Sequence, residues 1–168
     1  MERSLKITTW VVLYLSTVVA SSAGLVFPLG DASEWYASLV APSFTPPNWL
    51  FGPVWTVLYL LIATSAYKLI FTADLDSVLS RRKQSVYHVA VALWTLQLAL
   101  NVIWTPVFSG AQNLGAAFVY IALLWASIVA YILVTWRVNR LASAMMIPYL
   151  CWVSFASVLN YSYWQLNL

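Results

Sequence analysis

From Gln84 to Trp136 the chain carries no Asp, Glu, Lys or Arg. A helix needs only about 20 apolar residues to cross the hydrocarbon core of a bilayer. This one stretch is therefore long enough to cross twice. A charge left at the centre of a span would cost roughly 2.5–3.5 kcal/mol, so a charge-free run of this length is what insertion demands. The rest of the chain agrees: 62% of its 168 residues are hydrophobic and 8% are charged, where a soluble domain is about a quarter charged.

Five apolar segments have helix length, at about 6–27, 47–71, 85–107, 113–136 and 142–165. They predict an all-α integral membrane protein, a five-transmembrane-helix bundle forming a single membrane domain over 1–168 with no soluble part. Turn chemistry marks the breaks. Pro28 and Gly30 end the first segment, Pro46-Pro47 opens the second, and Asp74 to Lys83 forms a polar connection. Ser109-Gly110 follows Pro106, and Arg137 to Arg140 separates the last two. The first run follows Arg3 and Lys6, as the core of a secretory signal would. It is longer than such a core, however, and Phe27-Pro28-Leu29-Gly30 does not match a small-residue cleavage site.

Short cytoplasmic loops are enriched in Lys and Arg. With five spans, the amino terminus and the second and fourth loops share a side, and all eight cations lie on or near it: Arg3, Lys6, Lys68, Arg81, Arg82, Lys83, Arg137 and Arg140. Asp31 and Glu34 lie opposite with no cation. The expectation is a cytoplasmic amino terminus and an external carboxyl terminus. The basic balance then reports orientation and contact with anionic lipid, and nothing in it points to nucleic acid. Short ends without a targeting extension suggest a bacterial cytoplasmic membrane, with the outer membrane as the alternative. The single cysteine, Cys151, excludes an intramolecular disulfide, and Cys151 with the single histidine, His88, makes no metal set.

Ten tryptophans exceed what packing requires. Trp10, Trp136 and Trp164 lie near predicted span ends, where indole suits the membrane interface. In the third span Trp94, Gln97, Asn101 and Trp104 stand at i, i+3, i+7 and i+10, on one helix face. Carboxamides facing lipid would leave hydrogen bonds unmet, so this face should look into the bundle. One reading is plain helix-to-helix bonding, worth about 0.6 kcal/mol per pair; the other is a binding cavity. The fifth span repeats the pattern with Tyr149, Trp152, Ala156, Asn160 and Tyr163, and the second offers Trp55 and Tyr59. Aromatic walls from three helices could sandwich a flat ligand, with the small Ala156 leaving room between large rings. Ser16, Ala20 and Gly24, and Ala122, Ala126 and Ala130, are small residues four apart, the spacing that lets helices approach closely in lipid; one such face is a candidate homodimer surface.

The segment from Pro42 to Tyr59, PSFTPPNWLFGPVWTVLY, closely resembles the signature of the tryptophan-rich sensory protein (TspO/MBR) family, which includes the mitochondrial translocator protein. The resemblance extends through Glu34-Trp35-Tyr36, Gln97 to Asn101, Trp104 to Gly110, Pro148 to Trp152 and Leu159 to Tyr161. It implies a five-helix bundle, often dimeric, that binds protoporphyrin IX and related tetrapyrroles beneath the first loop as ligand rather than cofactor. The positions that carry over are Ala23, Trp49, Trp55, Asn101, Trp152 and Ala156, with Trp35 in the covering loop. Bacterial members are also reported to degrade porphyrin under light, and the resemblance places that role on Trp55 and Trp152. Two departures stand out. Tyr161 to Gln165 lacks the basic residue of the animal sterol motif, and Ala116 replaces a tryptophan, which predicts a thinner wall and weak binding of synthetic drugs. The leading expectation is a tetrapyrrole receptor or sensor in which Trp55, Trp104 and Trp152 stack on the ligand and Asn101 orients it. A photo-oxidative porphyrin-degrading enzyme is the alternative. A transporter is the third, although no inverted repeat or buried ion-coupling residue speaks for it.

Overall fold

The computed structural model describes residues 2–21, 34–75 and 81–168. Every regular element among them is helical. Helix α1 is Glu2–Ser21 and α2 is a short turn of helix, Glu34–Ser38. A 3-10 turn, Asn48–Leu50, leads into α3, Phe51–Leu75. Helix α4, Arg81–Thr105, continues into a π turn, Pro106–Gly110. Then follow α5, Leu114–Thr135, the short α6, Arg140–Met145, and α7, Ile147–Leu166.

Four segments are long and apolar enough to cross a membrane: Asn48–Phe71, Ser85–Gly110, Leu114–Thr135 and Arg140–Leu166. Thr8–Val19 within α1 is a shorter apolar stretch. Only 28% to 39% of the most apolar window of each long segment is buried inside the protein. Side chains such as Val119, Leu123 and Leu133 on α5 and Val57 on α3 therefore point outward. Apolar surface on this scale is expected only against lipid, so the chain is a multi-pass integral membrane protein.

The second to fifth expected segments match these four closely. The first meets α1 as far as Ser21, while Ala23, Gly24, Pro28, Gly30 and Asp31 lie outside the described residues. Local chemistry sets the ends. Pro47, with φ −57° and ψ 139°, is extended and holds α3 off until the 3-10 turn. Pro106 does not end α4. Having no N–H to donate, it widens the last turn, and the Ala111 N–H reaches the Pro106 carbonyl at 2.8 Å. Gln112 reverses the chain at φ 53°, and Asn113 caps α5 by accepting from the Ala116 N–H at 2.8 Å. Asn139 caps α6 in the same way through the Ala142 N–H at 3.0 Å.

Helix α4 packs along α5, α5 along α7, and α1 along α3, while α6 docks on α3. Helices α3 and α7 meet at few points. The main core runs from Leu58, Ile62 and Leu69 to Ile121, Ile128, Tyr131 and Val153. A second cluster, Phe108, Leu114, Ala117, Leu159 and Tyr163, lies beneath α2. On the faces of small residues, Ala122 and Ala126 are exposed and do not join helices within the chain. Trp164 is not only an interfacial ring, since it packs on Gly115 and on Phe118.

Candidate functional site

The polar face expected on α4 does turn inward: Trp94, Gln97 and Asn101 are buried and Trp104 is half-buried. Three of the four bond neighbouring helices. The Trp94 indole donates to the Ile62 carbonyl of α3 at 3.1 Å. Asn101 sits between two tyrosines, with Oδ1 accepting from the Tyr59 hydroxyl at 2.7 Å and Nδ2 donating to Tyr149 Oη at 3.1 Å. That knot ties α3, α4 and α7 in one layer. The Trp104 indole donates to Asn160 Oδ1 at 3.1 Å, and Asn160 Nδ2 donates to the Leu114 carbonyl at 3.0 Å, tying α4, α7 and α5 in a second layer nearer α2. Gln97 differs, because neither its Oε1 nor its Nε2 has a partner.

Between the second layer and α2 lies a cavity of about 100 Å³ lined by Tyr36, Asn48, Phe51, Trp104, Phe108, Ala156, Leu159, Asn160 and Tyr163. Its walls are mostly rings. Trp104 stacks on Phe108 with centroids 4.9 Å apart, and Trp35 meets Phe108 edge-on at 5.8 Å. The loop of residues 34–47 closes the top and is fastened to Tyr163, through Tyr36 and Thr45, and to Asn167. The Tyr36 and Tyr163 hydroxyls hydrogen-bond at 3.0 Å, and the Asn167 side chain clamps Val40, accepting from its N–H at 2.8 Å and donating to its carbonyl at 3.1 Å. Burial, assisted by the Tyr163 hydroxyl, pushes the Tyr36 phenol well above its ordinary value, so this fastening stays neutral at physiological pH.

On the outer side of the α3/α7 seam runs an open apolar groove of about 590 Å³, lined by Pro53, Val54, Val57, Leu58, Pro148, Cys151, Trp152 and Phe155. Phe51 borders the cavity, Trp152 borders the groove, and the two rings meet edge-to-face at 5.8 Å. This ring pair is the partition between the two spaces. Ligand pockets commonly measure about 300–1,000 Å³, so the cavity alone is too small for a large ligand, whereas cavity and groove joined are not.

The expected site residues divide accordingly. Trp104 and Ala156 line the cavity, Trp152 lines the groove, and Trp35 packs in the cover. Trp55 lines neither space; it stacks on Tyr59 at 5.3 Å and meets Tyr149 edge-on at 6.1 Å, roofing the Asn101 knot. Trp49 is 72% exposed and turned away from both. Trp94, Tyr59 and Asn101 are engaged in helix-to-helix bonds. Ala23 lies outside the described residues, and Ala116 lines neither space. Residues that the site expectations left out are Tyr36, Asn48, Phe51, Phe108 and Leu159. Phe51 and Phe108 stood inside the distinctive motifs, but no periodicity separates a ring that lines a cavity from one that fills a core. Among the described residues no cluster of His, Cys, Asp or Glu could hold a metal.

A membrane-embedded helical bundle with an aromatic cavity under a fastened loop places the chain in the class of small multi-pass helical membrane proteins. The comparisons narrow it, since the model of the TspO/MBR family matches residues 10–165. The chain is 43% identical over 145 residues to a tryptophan-rich protein TspO of Chlorobaculum tepidum, covering 86% of this chain and 87% of that one. It is 35% identical over 163 residues to a protein CrtK of Rhodobacter capsulatus, covering 97% and 95%, and 35% identical over 144 residues to the human translocator protein, covering 86% and 81%. The chain belongs to the TspO/MBR family.

Proposed function

We propose that this chain is a five-span membrane receptor or sensor for a flat tetrapyrrole such as protoporphyrin IX, with α1 supplying the fifth span. The proposed orientation has a cytoplasmic amino terminus in a bacterial cytoplasmic membrane, the side on which Lys68, Arg137 and Arg140 fall. The observation that carries the reading is the Phe51–Trp152 partition. When those rings part, a closed cavity and a larger membrane-facing groove become one slot walled by Trp104, Phe108, Trp152 and Phe155. Stacked rings suit a planar aromatic ligand, at about 0.5–1.5 kcal/mol per ring pair. The polar hands offered to such a ligand are Tyr36, Asn48 and Tyr163 at the loop end. Asn101, the expected orienting residue, is already held at both ends of its carboxamide by Tyr59 and Tyr149.

The test is a dark titration of the purified protein with protoporphyrin IX, followed by tryptophan quenching. Saturable binding that weakens at least tenfold in Trp104→Ala and Phe108→Ala supports the reading, and non-saturable quenching overturns it. Illuminating the same sample separates receptor from photo-oxidative enzyme. Trp152 borders the groove and would meet the pigment, whereas Trp55 lines neither space and packs on Tyr59 and Tyr149. An enzyme would therefore lose bleaching in Trp152→Phe far more than in Trp55→Phe.

A further inference from the structure

We infer that Gln97 anchors an internal water-binding site at the centre of the bundle, in the layer beside the Tyr59–Asn101–Tyr149 knot. This inference is independent of the ligand reading. Along the inward face of α4, Trp94, Asn101 and Trp104 each have their polar atoms engaged, by the Ile62 carbonyl, by Tyr59 and Tyr149, and by Asn160. Gln97 stands one turn from Asn101 and one turn from Trp94 and has no exposed surface at all. Both its Oε1 and its Nε2 are buried and without a partner. Nothing else among the described buried side chains shares that condition.

A carboxamide has two donor hydrogens and an acceptor oxygen. Leaving a buried polar group unmet costs about 1–3 kcal/mol, and within a membrane no bulk solvent can relieve it. Tyr149, in the adjoining knot, has unused capacity as well. Tyr149 has no exposed surface, its Oη accepts from Asn101, and its own hydroxyl hydrogen has no acceptor among the described residues. Because Gln97 has no exposed surface, its occupant must be small and must donate and accept at once. Water meets both conditions, and buried waters, about one per 27 residues in proteins, make about three hydrogen bonds each to groups of this kind. Gln97 lines neither the cavity beneath α2 nor the outer groove, so its partner is separate from any ligand held there.

Water-edited solid-state NMR on the full chain in lipid bilayers tests the site directly. With ¹⁵N-labelled glutamine and tryptophan, the Gln97 side-chain and Trp94 indole signals are assigned by their loss in Gln97→Met and Trp94→Phe, and the measurement itself is made on the unsubstituted protein. At short mixing time, magnetisation from water should reach the Gln97 side-chain amide about as strongly as it reaches the amides of Gln112 and Gln165 outside the core. The Trp94 indole N–H, held by the Ile62 carbonyl, supplies the internal reference for a dry polar group. Transfer to Gln97 at or below that reference overturns the proposal. In that case a rise in Tm for Gln97→Met would mark a dry, strained carboxamide, and an unchanged Tm would mark one that has turned to a protein partner.

Discussion

Asn101 shows what one side chain does for this bundle. Its carboxamide accepts from Tyr59 on α3 and donates to Tyr149 on α7, so its removal strands two buried hydroxyls at once. Asn101→Leu, close in volume and unable to bond, is expected to lower stability by about 1–3 kcal/mol, read as unfolding in mild detergent. Asn101→Asp should fail as a rescue, because a buried carboxylate is still more costly. Tyr36 governs a different property. Its folded-state value is raised above the ordinary 10.0, so the neutral phenol contributes stability that is fully present below about pH 10 and is lost as pH rises beyond it. Protease cleavage within residues 34–47 should therefore quicken only in strongly alkaline buffer. In Tyr36→Phe it should be quicker at all pH values, with less dependence on pH. The sequence reveals that α4 presents its amides inward, because helical spacing settles which face a residue occupies. It cannot reveal that Asn101 is satisfied and Gln97 is not, since that depends on which atoms of α3 and α7 stand opposite.

At the scale of elements, close approach decides more than hydropathy does. Gly115 opens α5 where the Trp164 indole of α7 crosses it, and a Cβ built there would lie 3.0 Å from the ring. Gly115→Ala must push that ring aside. Helix propensity favours alanine by about 1 kcal/mol, yet the expected result is a net loss of about 1–2 kcal/mol, with Gly115→Ala/Trp164→Leu recovering most of it in a double-mutant cycle. A gain in the single variant would show that the ring yields freely. From sequence, Gly115-Ala116-Ala117 reads as a thinned cavity wall. In the structure the glycine is the contact that matters, while Ala117 is buried in the cluster beneath α2. The π turn was equally hidden. Proline ordinarily marks a helix end, and only the 2.8 Å bond from the Ala111 N–H to the Pro106 carbonyl shows that α4 widens instead of stopping, which carries Phe108 to the cavity.

For the molecule as a whole, the order and bounds of the four long apolar helices are legible from a handful of facts: the charge-free stretch from Gln84 to Trp136, the Pro46-Pro47 pair and the placement of the cations. What the pattern could not convey is how evenly the ring of helices closes. Helix α5 packs closely on both α4 and α7, whereas α3 meets α7 at few points, and that seam is where Trp152 and Phe51 stand. Three aromatic walls were expected around a single seat. In the structure a covered cavity and an outer groove lie on either side of the Phe51–Trp152 pair, and Trp55 lines neither. If the seam is the route from the bilayer to the cavity, a bulky side chain in the groove must slow passage in both directions without altering the seat. Val57 is 55% exposed and lines only the groove, which makes Val57→Trp a substitution that folding should tolerate. Stopped-flow mixing of protoporphyrin-loaded vesicles with vesicles holding the protein should then show association and dissociation slowed together, by about tenfold for a barrier raised by about 1.4 kcal/mol, with Kd unchanged. Phe51→Ala should do the opposite and speed both. Unchanged rates in Val57→Trp would place entry beneath the loop of residues 34–47, where the fastenings at Tyr163 and Asn167 would then be the gate. A weaker Kd with normal association would make the groove itself the seat.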